Sequence, residues 1–375
     1  MSINIHPRYI KQLIGHRKEK ILFEDSFFNN TLQHCWLLEG VPGIGKASFA
    51  YCAARSILSL NKLQNNDLLL FNDIEDIKEK NSLNFIYDNN NLIHNRISEN
   101  THSDLKIIEQ TQDEKSYEIK ELIPVDKVRE IESFFSKTSG EGGWRIAIID
   151  SLDNLNKHGS NALLKILEEP PKKCLIFLIS HNKSNVLDTI RSRSRVLKFS
   201  ELNNEDTKFV IEKSTIIKNE EEMKKINILA GGSPGKAIIL YNNNGLDIYD
   251  KIIETFNSIP ELDSRIIDPL LKEISDKKNV FGLKIISILI TIYLNRAYKR
   301  SLKLIKLNIS NDEKISQDNF LKFFNIADIP SLWENISTNI NLSLNFNLDK
   351  KQAIINLLEN IKKFNKNYKL LEENK

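Results

Sequence analysis

One short glycine-rich segment, Gly40 to Ala47, constrains the fold more than any other part of the sequence. The apolar residues from Cys35 to Leu38 precede it and are typical of a buried strand. From Phe49 to Leu58 apolar residues recur at intervals of three and four, which predicts a helix with one apolar face. The order strand, glycine-rich loop, helix is the arrangement in which backbone N–H groups point together at a phosphate.

The segment matches the P-loop pattern GxxxxGK[ST] at every required position except the last. Gly40, Gly43, Gly45 and Lys46 are therefore the candidate phosphate-binding residues. Ala47 stands where the pattern has a hydroxyl that coordinates Mg²⁺, and the next residue lies about 100° further round the helix. Mg²⁺ is therefore not expected to be held productively. Two alternatives remain for the nucleotide, namely a vestigial site or one that grips ATP or ADP through backbone N–H groups and the lysine.

Strands and helices alternate through the first half of the chain. Helical spacing from Val125 to Phe135 is followed by an apolar run from Trp144 to Ile149. Helical spacing then returns from Asn161 to Glu168, before a second apolar run from Cys174 to Ile179. Strands that read as continuous apolar runs and alternate with helices predict an α/β fold with a parallel sheet covered on both faces.

The sequence predicts three domains. Residues 1–200 carry the alternating pattern, and the glycines and proline at 231–235 indicate the end of one helix and the start of another. Residues 201–245 are accordingly predicted to form a small helical domain, and residues 246–375 a helical bundle. Residues 61–101 are rich in Asn, Asp and Lys without a sustained period, so we interpret them as an insertion or surface segment.

Composition excludes several classes of protein. The chain has 375 residues, of which 41% are hydrophobic and 27% charged, as in ordinary globular proteins. A net charge of +3 is too small to demand a nucleic-acid partner by itself. Cys35, Cys52 and Cys174 lack the spacing of a metal site or a disulfide framework.

The charged N-terminus lacks the features of a signal peptide, and the apolar run Ile285 to Leu294 is too short to span a bilayer, so we expect a cytoplasmic protein without membrane contact.

Two further groups of residues are candidates for chemistry. The predicted strand ends in the carboxylate of Asp150, an arrangement by which nucleotide hydrolases hold Mg²⁺. The next residue, Ser151, has a hydroxyl, which cannot act as a base in the way a carboxylate does.

The second group consists of three arginines at every second position, namely Arg191, Arg193 and Arg195. If that segment is extended, the three guanidinium groups lie on one side and face a neighbouring subunit or a phosphate. The alternative is a solvated basic turn.

Four segments together resemble the AAA+ clamp-loader subunits of bacterial DNA polymerase III. They are the P-loop, the run NALLKILEEPP from Asn161 to Pro171, Thr189 to Arg195, and Gly232 to Ala237. The resemblance implies an AAA+ sheet domain with a small helical lid and a C-terminal helical collar that joins five subunits. It also implies that Arg193 acts as an arginine finger on ATP in the adjacent subunit.

The resemblance assigns further residues by position. Lys236 stands where hydrolysing relatives place an arginine on the nucleotide phosphates, and it keeps the charge but not the bidentate fork. Many relatives carry a four-cysteine zinc module after the P-loop helix. Residues 60–120 contain no cysteine here, so no structural zinc or other metal is expected, and no cofactor is required.

The function implied is that of a stator in DNA replication. Such a subunit no longer hydrolyses ATP, but lends Arg193 to the motor subunit beside it in a hetero-pentamer of motor and delta subunits that loads the sliding clamp on primed DNA. An alternative is an autonomous AAA+ ATPase of the motor type that uses Ser48 and Asp153 in unusual roles. A nucleotide-binding adaptor outside replication is a third interpretation.

Overall fold

The chain forms two compact units, Met1–Ile216 with Ala230–Lys236, and Ile217–Leu229 with Ala237–Lys375. The structure is a computed structural model, and it describes residues 6–65, 83–110, 122–140, 143–214, 217, 219–259, 265, 268, 282–304, 310–345 and 349–364. The division into three domains near residues 200 and 245 stays a prediction.

A five-stranded parallel sheet forms the centre of the first unit, in the order β2-β3-β4-β1-β5. Its strands are β1 (Cys35–Glu39), β2 (Leu105–Glu109), β3 (Arg145–Asp150), β4 (Cys174–Ser180) and β5 (Arg195–Lys198). The strand that precedes the P-loop lies between β4 and β5, with Glu39 opposite Ser180 and Lys198. The carboxyl ends of all these strands therefore meet at one edge, where the P-loop begins.

Helices cover both faces of this sheet, which confirms the predicted α/β architecture. They are α1 (Arg17–Phe28), α2 (Lys46–Asn65), α3 (Leu92–Ser98), α4 (Val125–Ser136), α5 (Lys157–Glu168) and α6 (Asp188–Ser192). Helix α7 (Asn204–Ser214) follows β5 in the same unit. Alternate residues of β1 enter opposite cores: Trp36 packs with Phe23 and Phe49, whereas Leu37 packs with Leu163. Because both faces are buried, each strand reads as a continuous apolar run.

The structure corrects one sequence-based interpretation and adds one strand. Residues 61–101 include ordered elements, because α2 extends to Asn65 and α3 buries Ile93 and Ile97 in the core. Strand β2 was not anticipated, since only its first and fourth residues are buried and it has no continuous apolar signal. Residues 66–82, within the same Asn-rich segment, lie outside the described residues.

The rest of the described chain is helical. Its helices are α8 (Glu220–Ala230), α9 (Pro234–Asn242), α10 (Gly245–Asn257), α11 (Gly282–Ser301), α12 (Asn311–Phe323), α13 (Ile329–Asn345) and α14 (Lys350–Lys363). The apolar run Ile285 to Leu294 lies within α11 and is largely buried. The aromatic rings of Phe256 and Tyr293 pack with centroids 4.5 Å apart. Across the described residues, no helix combines the length and apolar character needed to cross a membrane.

A buried ion pair links α11 to α12. The Nε of Arg296 donates to Oε1 of Glu313 at 2.6 Å, and Nη2 donates to Oε2 at 3.1 Å. Tyr249 and Gln317 donate to the same carboxylate at 3.0 and 2.9 Å. Only 10% of the arginine side chain and 4% of the glutamate side chain are exposed, so each charge depends on the other for compensation.

Loss of this carboxylate should destabilise the second unit strongly. We expect Glu313→Ala to lower the free energy of unfolding by about 3–5 kcal/mol, because Arg296 is left buried without its counter-charge. Asp318→Ala is the matched control on the same helix, since Asp318 pairs with Arg300 but is 53% exposed, and its removal should cost less than about 1 kcal/mol. Urea titration of the full chain measures both, and equal losses would contradict the assignment.

Candidate functional site at the P-loop

The P-loop lysine is turned onto its own loop. Lys46 begins α2 and is only 3% exposed. Its ammonium group donates to the carbonyl oxygens of Gly40 and Val41, the latter at 2.6 Å. Burial lowers the pKa of Lys46 to about 8, although the charges of Asp150 and Asp153 oppose this shift. A phosphate that engaged the ammonium would therefore compete with these two carbonyl contacts.

Residues 233–235 pack directly on the tip of the P-loop. The backbone N–H of Gly235 donates to the carbonyl of Gly43 at 2.9 Å, and the Ser233 hydroxyl donates to the carbonyl of Pro42 at 2.9 Å. The two glycine backbones are so close that a Cβ on Gly235 would lie 2.7 Å from the Cα of Gly43. The glycine at this position is thus required for the close approach.

Lys236 follows this contact at the start of α9. Its side chain is half-buried, and burial lowers its pKa against the opposing effect of Glu201. The structure therefore brings Lys236 into the segment that contacts the P-loop.

Gly45 has a φ of 111°, and a Cβ there would lie 3.4 Å from the ring of His16.

His16 is a residue of this site that the sequence analysis missed. It precedes α1 with a φ of 52°, and its Nε2 lies 2.6 Å from the carbonyl oxygen of Ile44 in the P-loop. Its ring packs edge-on against Phe199, and burial lowers the pKa of His16. A neutral imidazole that donates from Nε2 fits this position. Only a single histidine beside a glycine marks the place in the sequence, which is too weak a signal to single it out.

The carboxylates at the sheet edge are held by the protein itself. Asp150 ends β3 opposite Glu109 of β2. Burial raises the pKa of Asp150 to about 6, with a further contribution from the charge of Glu109. Burial also opposes ionisation of Glu109, but His6 and Arg8 lie 2.9 and 3.0 Å from its oxygens and lower its pKa overall.

The residues after Asp150 have structural partners. The Ser151 hydroxyl accepts a hydrogen bond from Asn154 at 3.1 Å. Asp153 accepts the backbone N–H groups of His181 and Asn182 at 2.6 and 3.2 Å, so it caps the turn after β4. Ser151 carries no carboxylate, and the carboxylate of Asp153 is held by the turn after β4.

The site lacks the P-loop hydroxyl that coordinates Mg²⁺ in the complete motif. Ala47 packs against the apolar core, and Ser48 is buried one position further along α2. Asp150 remains as a carboxylate without a hydroxyl partner at the P-loop. The loop therefore offers donors suited to a phosphate, but its residues do not fit a phosphate-bound Mg²⁺. Among the described residues, no three His, Cys, Asp or Glu side chains are grouped in a way that would hold a metal ion.

The three arginines do not share one side. The segment is not extended, because α6 spans Asp188–Ser192 and Arg193 caps its C-terminal end before β5 begins. Arg191 pairs with both oxygens of Glu39 at the end of β1, with Nη2 at 3.2 Å. The guanidinium of Arg195 lies 5.1 Å from the ring centroid of Trp36. Helical rotation in α6 separates the side chains that an extended segment would have aligned.

Arg193 lies at the surface beside another charged side chain, and Arg195 is also exposed. The Arg193 side chain is 36% exposed, and its Nη2 lies 2.9 Å from Oε1 of Glu168. Its Nη1 donates to the carbonyl of Thr189 at 3.1 Å. The following residue, Ser194, donates to the carbonyl of Ile190 at 2.8 Å and lies 3.1 Å from the Cys35 sulfur.

A parallel sheet with a P-loop after the central strand β1, a carboxylate at the end of β3, which is separated from β1 by β4, and helices on both faces define an AAA+ P-loop domain. Residues 15–203, half of the chain, match the family model described as DNA polymerase III, delta subunit. The chain belongs to this family of clamp-loader subunits.

Relatives in the family are subunits named gamma and delta'. The chain is 26% identical over 241 residues to the DNA polymerase III subunit gamma of Buchnera aphidicola subsp. Schizaphis graminum, covering 62% of this chain and 58% of that protein. It is 38% identical over 93 residues to the subunit delta' of Pseudomonas aeruginosa, covering 25% and 26%. For the subunit delta' of Bacillus subtilis the identity is 28% over 186 residues, covering 50% and 47%.

Solved structures align along most of the chain at low similarity. A DNA polymerase III gamma subunit-related protein from Thermotoga maritima has a TM-score of 0.36 and 15% identity, covering 92% of this chain and 99% of that one. The RuvB Holliday junction branch migration motor of the same organism has a TM-score of 0.38 and 17% identity, covering 84% and 91%.

The raised pKa of Asp150 should make stability depend on pH. The pKa is raised from 3.8 to about 6, so the folded chain binds more protons than the unfolded chain in this window, and stability falls as pH rises through it. The side chain introduced by Asp150→Asn stays uncharged over this pH range. We expect the stability of this variant relative to wild type to increase by up to about 3 kcal/mol between acidic and neutral pH, measured by urea titration. A constant difference across this range would contradict the raised pKa.

Proposed function

We propose that the chain is the delta-prime subunit of the DNA polymerase III clamp loader and acts as a stator. It does not hydrolyse ATP, but supplies Arg193 in trans to the ATP site of an adjacent motor subunit. The observation that carries this proposal is a contrast within one domain. Arg193 lies at the surface at the end of α6, while the P-loop lacks the groups needed to hold Mg²⁺ and activate water.

The contacts around the P-loop support the loss of hydrolysis. Ala47 provides no oxygen for a metal ion, and Ser151 replaces the carboxylate base that AAA+ ATPases of this type place after the aspartate. Lys46 is engaged by two carbonyl oxygens of its own loop. Binding of ATP or ADP without productive Mg²⁺ remains compatible with the proposal, because backbone N–H donors do not depend on Ala47.

The second candidate is a motor-type ATPase, which the similarity to gamma subunits favours. That function would need Ser48 and Asp153 to replace the missing metal ligand and base. Ser48 is buried, and Asp153 is occupied by the backbone N–H groups after β4. These contacts favour the stator over the motor.

The proposal includes the organisation and partners of the chain. Residues 1–200 would form the AAA+ domain, residues 201–245 the lid, and residues 246–375 the collar that joins motor and delta subunits in a hetero-pentamer. The assembled complex would load the sliding clamp on primed DNA in the cytoplasm. Lys236 would face the nucleotide from the lid, which is consistent with its position beside the P-loop tip.

The purified chain should not hydrolyse ATP. A titration of labelled ATP with and without Mg²⁺ should give the same affinity under both conditions, because the metal ligands are missing. Hydrolysis by the wild-type chain that is abolished by Lys46→Ala would refute the stator and favour the motor.

Arg193→Ala should reduce ATP hydrolysis in the neighbouring subunit. In a reconstituted loader whose other motor sites are inactivated, we expect the rate at the site that receives Arg193 to fall by about 10³-fold or more, since an arginine finger stabilises the transition-state charge.

Arg195→Ala is the control for this measurement, because Arg195 is a nearby arginine that packs on Trp36. Gel filtration should show that both variant complexes remain assembled. Equal rates for the Arg193 variant and the wild type would exclude the finger, whereas a complex that fails to assemble would indicate a structural role for Arg193.

A further inference from the structure

One residue of the run NALLKILEEPP, Glu168, contacts Arg193. Glu168 is the last residue of α5, and its carboxylate lies 2.9 Å from the guanidinium. The proposed function uses no residue of this run. Glu168 therefore contacts the guanidinium group of Arg193, which the proposed function places in the neighbour's ATP site.

Packing and ion pairs on both helices fix the positions of the two partners. On α5, Leu163 and Leu167 are buried in the core, and Lys165 pairs with Glu132 of α4. On α6, Ile190 is buried and Arg191 pairs with Glu39. The ends of α5 and α6 are therefore anchored independently of the contact between Glu168 and Arg193.

The contact orients the guanidinium while leaving donors available. The Thr189 carbonyl accepts from Nη1 at 3.1 Å, and Glu168 accepts from Nη2. An arginine carries five N–H donors, so these contacts leave others for a phosphate. Because Arg193 and Glu168 are 36% and 51% exposed, the pair is too weak to prevent the arginine from engaging a phosphate.

We propose that Glu168 is a positioning residue that holds the Arg193 guanidinium ready for the neighbour's ATP. This inference rests on the proposed role of Arg193. A free arginine side chain must lose rotamer freedom when it engages the transition state. The pair with Glu168 restricts the rotamers of Arg193 before that step and so reduces the entropy lost in it. An exposed ion pair changes an equilibrium by up to about fivefold, which sets the size of the effect.

The test compares five variants, including Arg193→Ala alone and combined with Glu168→Ala, in the reconstituted loader with one active motor site. Glu168→Ala should lower kcat for ATP by about two- to fivefold without changing KM, because orientation matters in the transition state. Glu168→Gln keeps an oxygen that accepts from Nη2 and should recover at least half of the loss. Glu169→Ala removes the same charge one residue later and should leave kcat unchanged. In the Arg193→Ala background, Glu168→Ala should have no further effect.

Each outcome separates the two proposals. If Arg193→Ala leaves the rate unchanged, the proposed function fails. If Arg193→Ala lowers the rate but Glu168→Ala does not, or raises it, only the positioning role of Glu168 is overturned. Equal losses in the Glu168 and Glu169 alanine variants, or a glutamine variant no better than alanine, would also overturn it. Thermal unfolding of each variant shows whether a lower kcat reflects loss of structure.

Discussion

Burial of both faces of the central strands is the constraint on which the first unit depends. Every residue of β1 and β4 is buried, and alternate side chains of β1 enter two separate cores. Parallel strands need long crossover connections, and here these include the helices that cover the sheet. The carboxyl ends of the strands then meet at one edge, and this edge is where the P-loop, Asp150 and the turn after β4 come together.

At that edge, charged groups are largely compensated by partners within the chain. Lys46 binds the carbonyls of its loop, Glu109 binds His6 and Arg8, and Arg191 binds Glu39. Compensation of this kind lowers the cost of burying charge without an external ligand. These charged groups at the edge that carries the P-loop are thus satisfied by partners within the chain, whereas burial raises the pKa of Asp150.

The elements that could be predicted from the sequence are those with strong local signals. The runs in β1, β3 and β4 are continuous and apolar, and α5 has clear helical spacing before Pro170. Strand β2 and helix α3 were missed because their burial depends on neighbours brought together by the fold. The P-loop and Asp150 were identified from residue type and spacing, whereas His16 and Glu39 were not.

The sequence by itself determined the α/β class, the missing hydroxyl at Ala47 of the P-loop and the place of Arg193 in its segment, because continuous apolar runs, residue type and motif spacing are all local properties. Only the tertiary structure decided what the arginines contact. Helix α6 turns Arg191 towards Glu39, while the end of α5 brings Glu168 to Arg193. Such pairs join residues far apart in the chain, and their formation depends on helix packing rather than on any pattern near either residue.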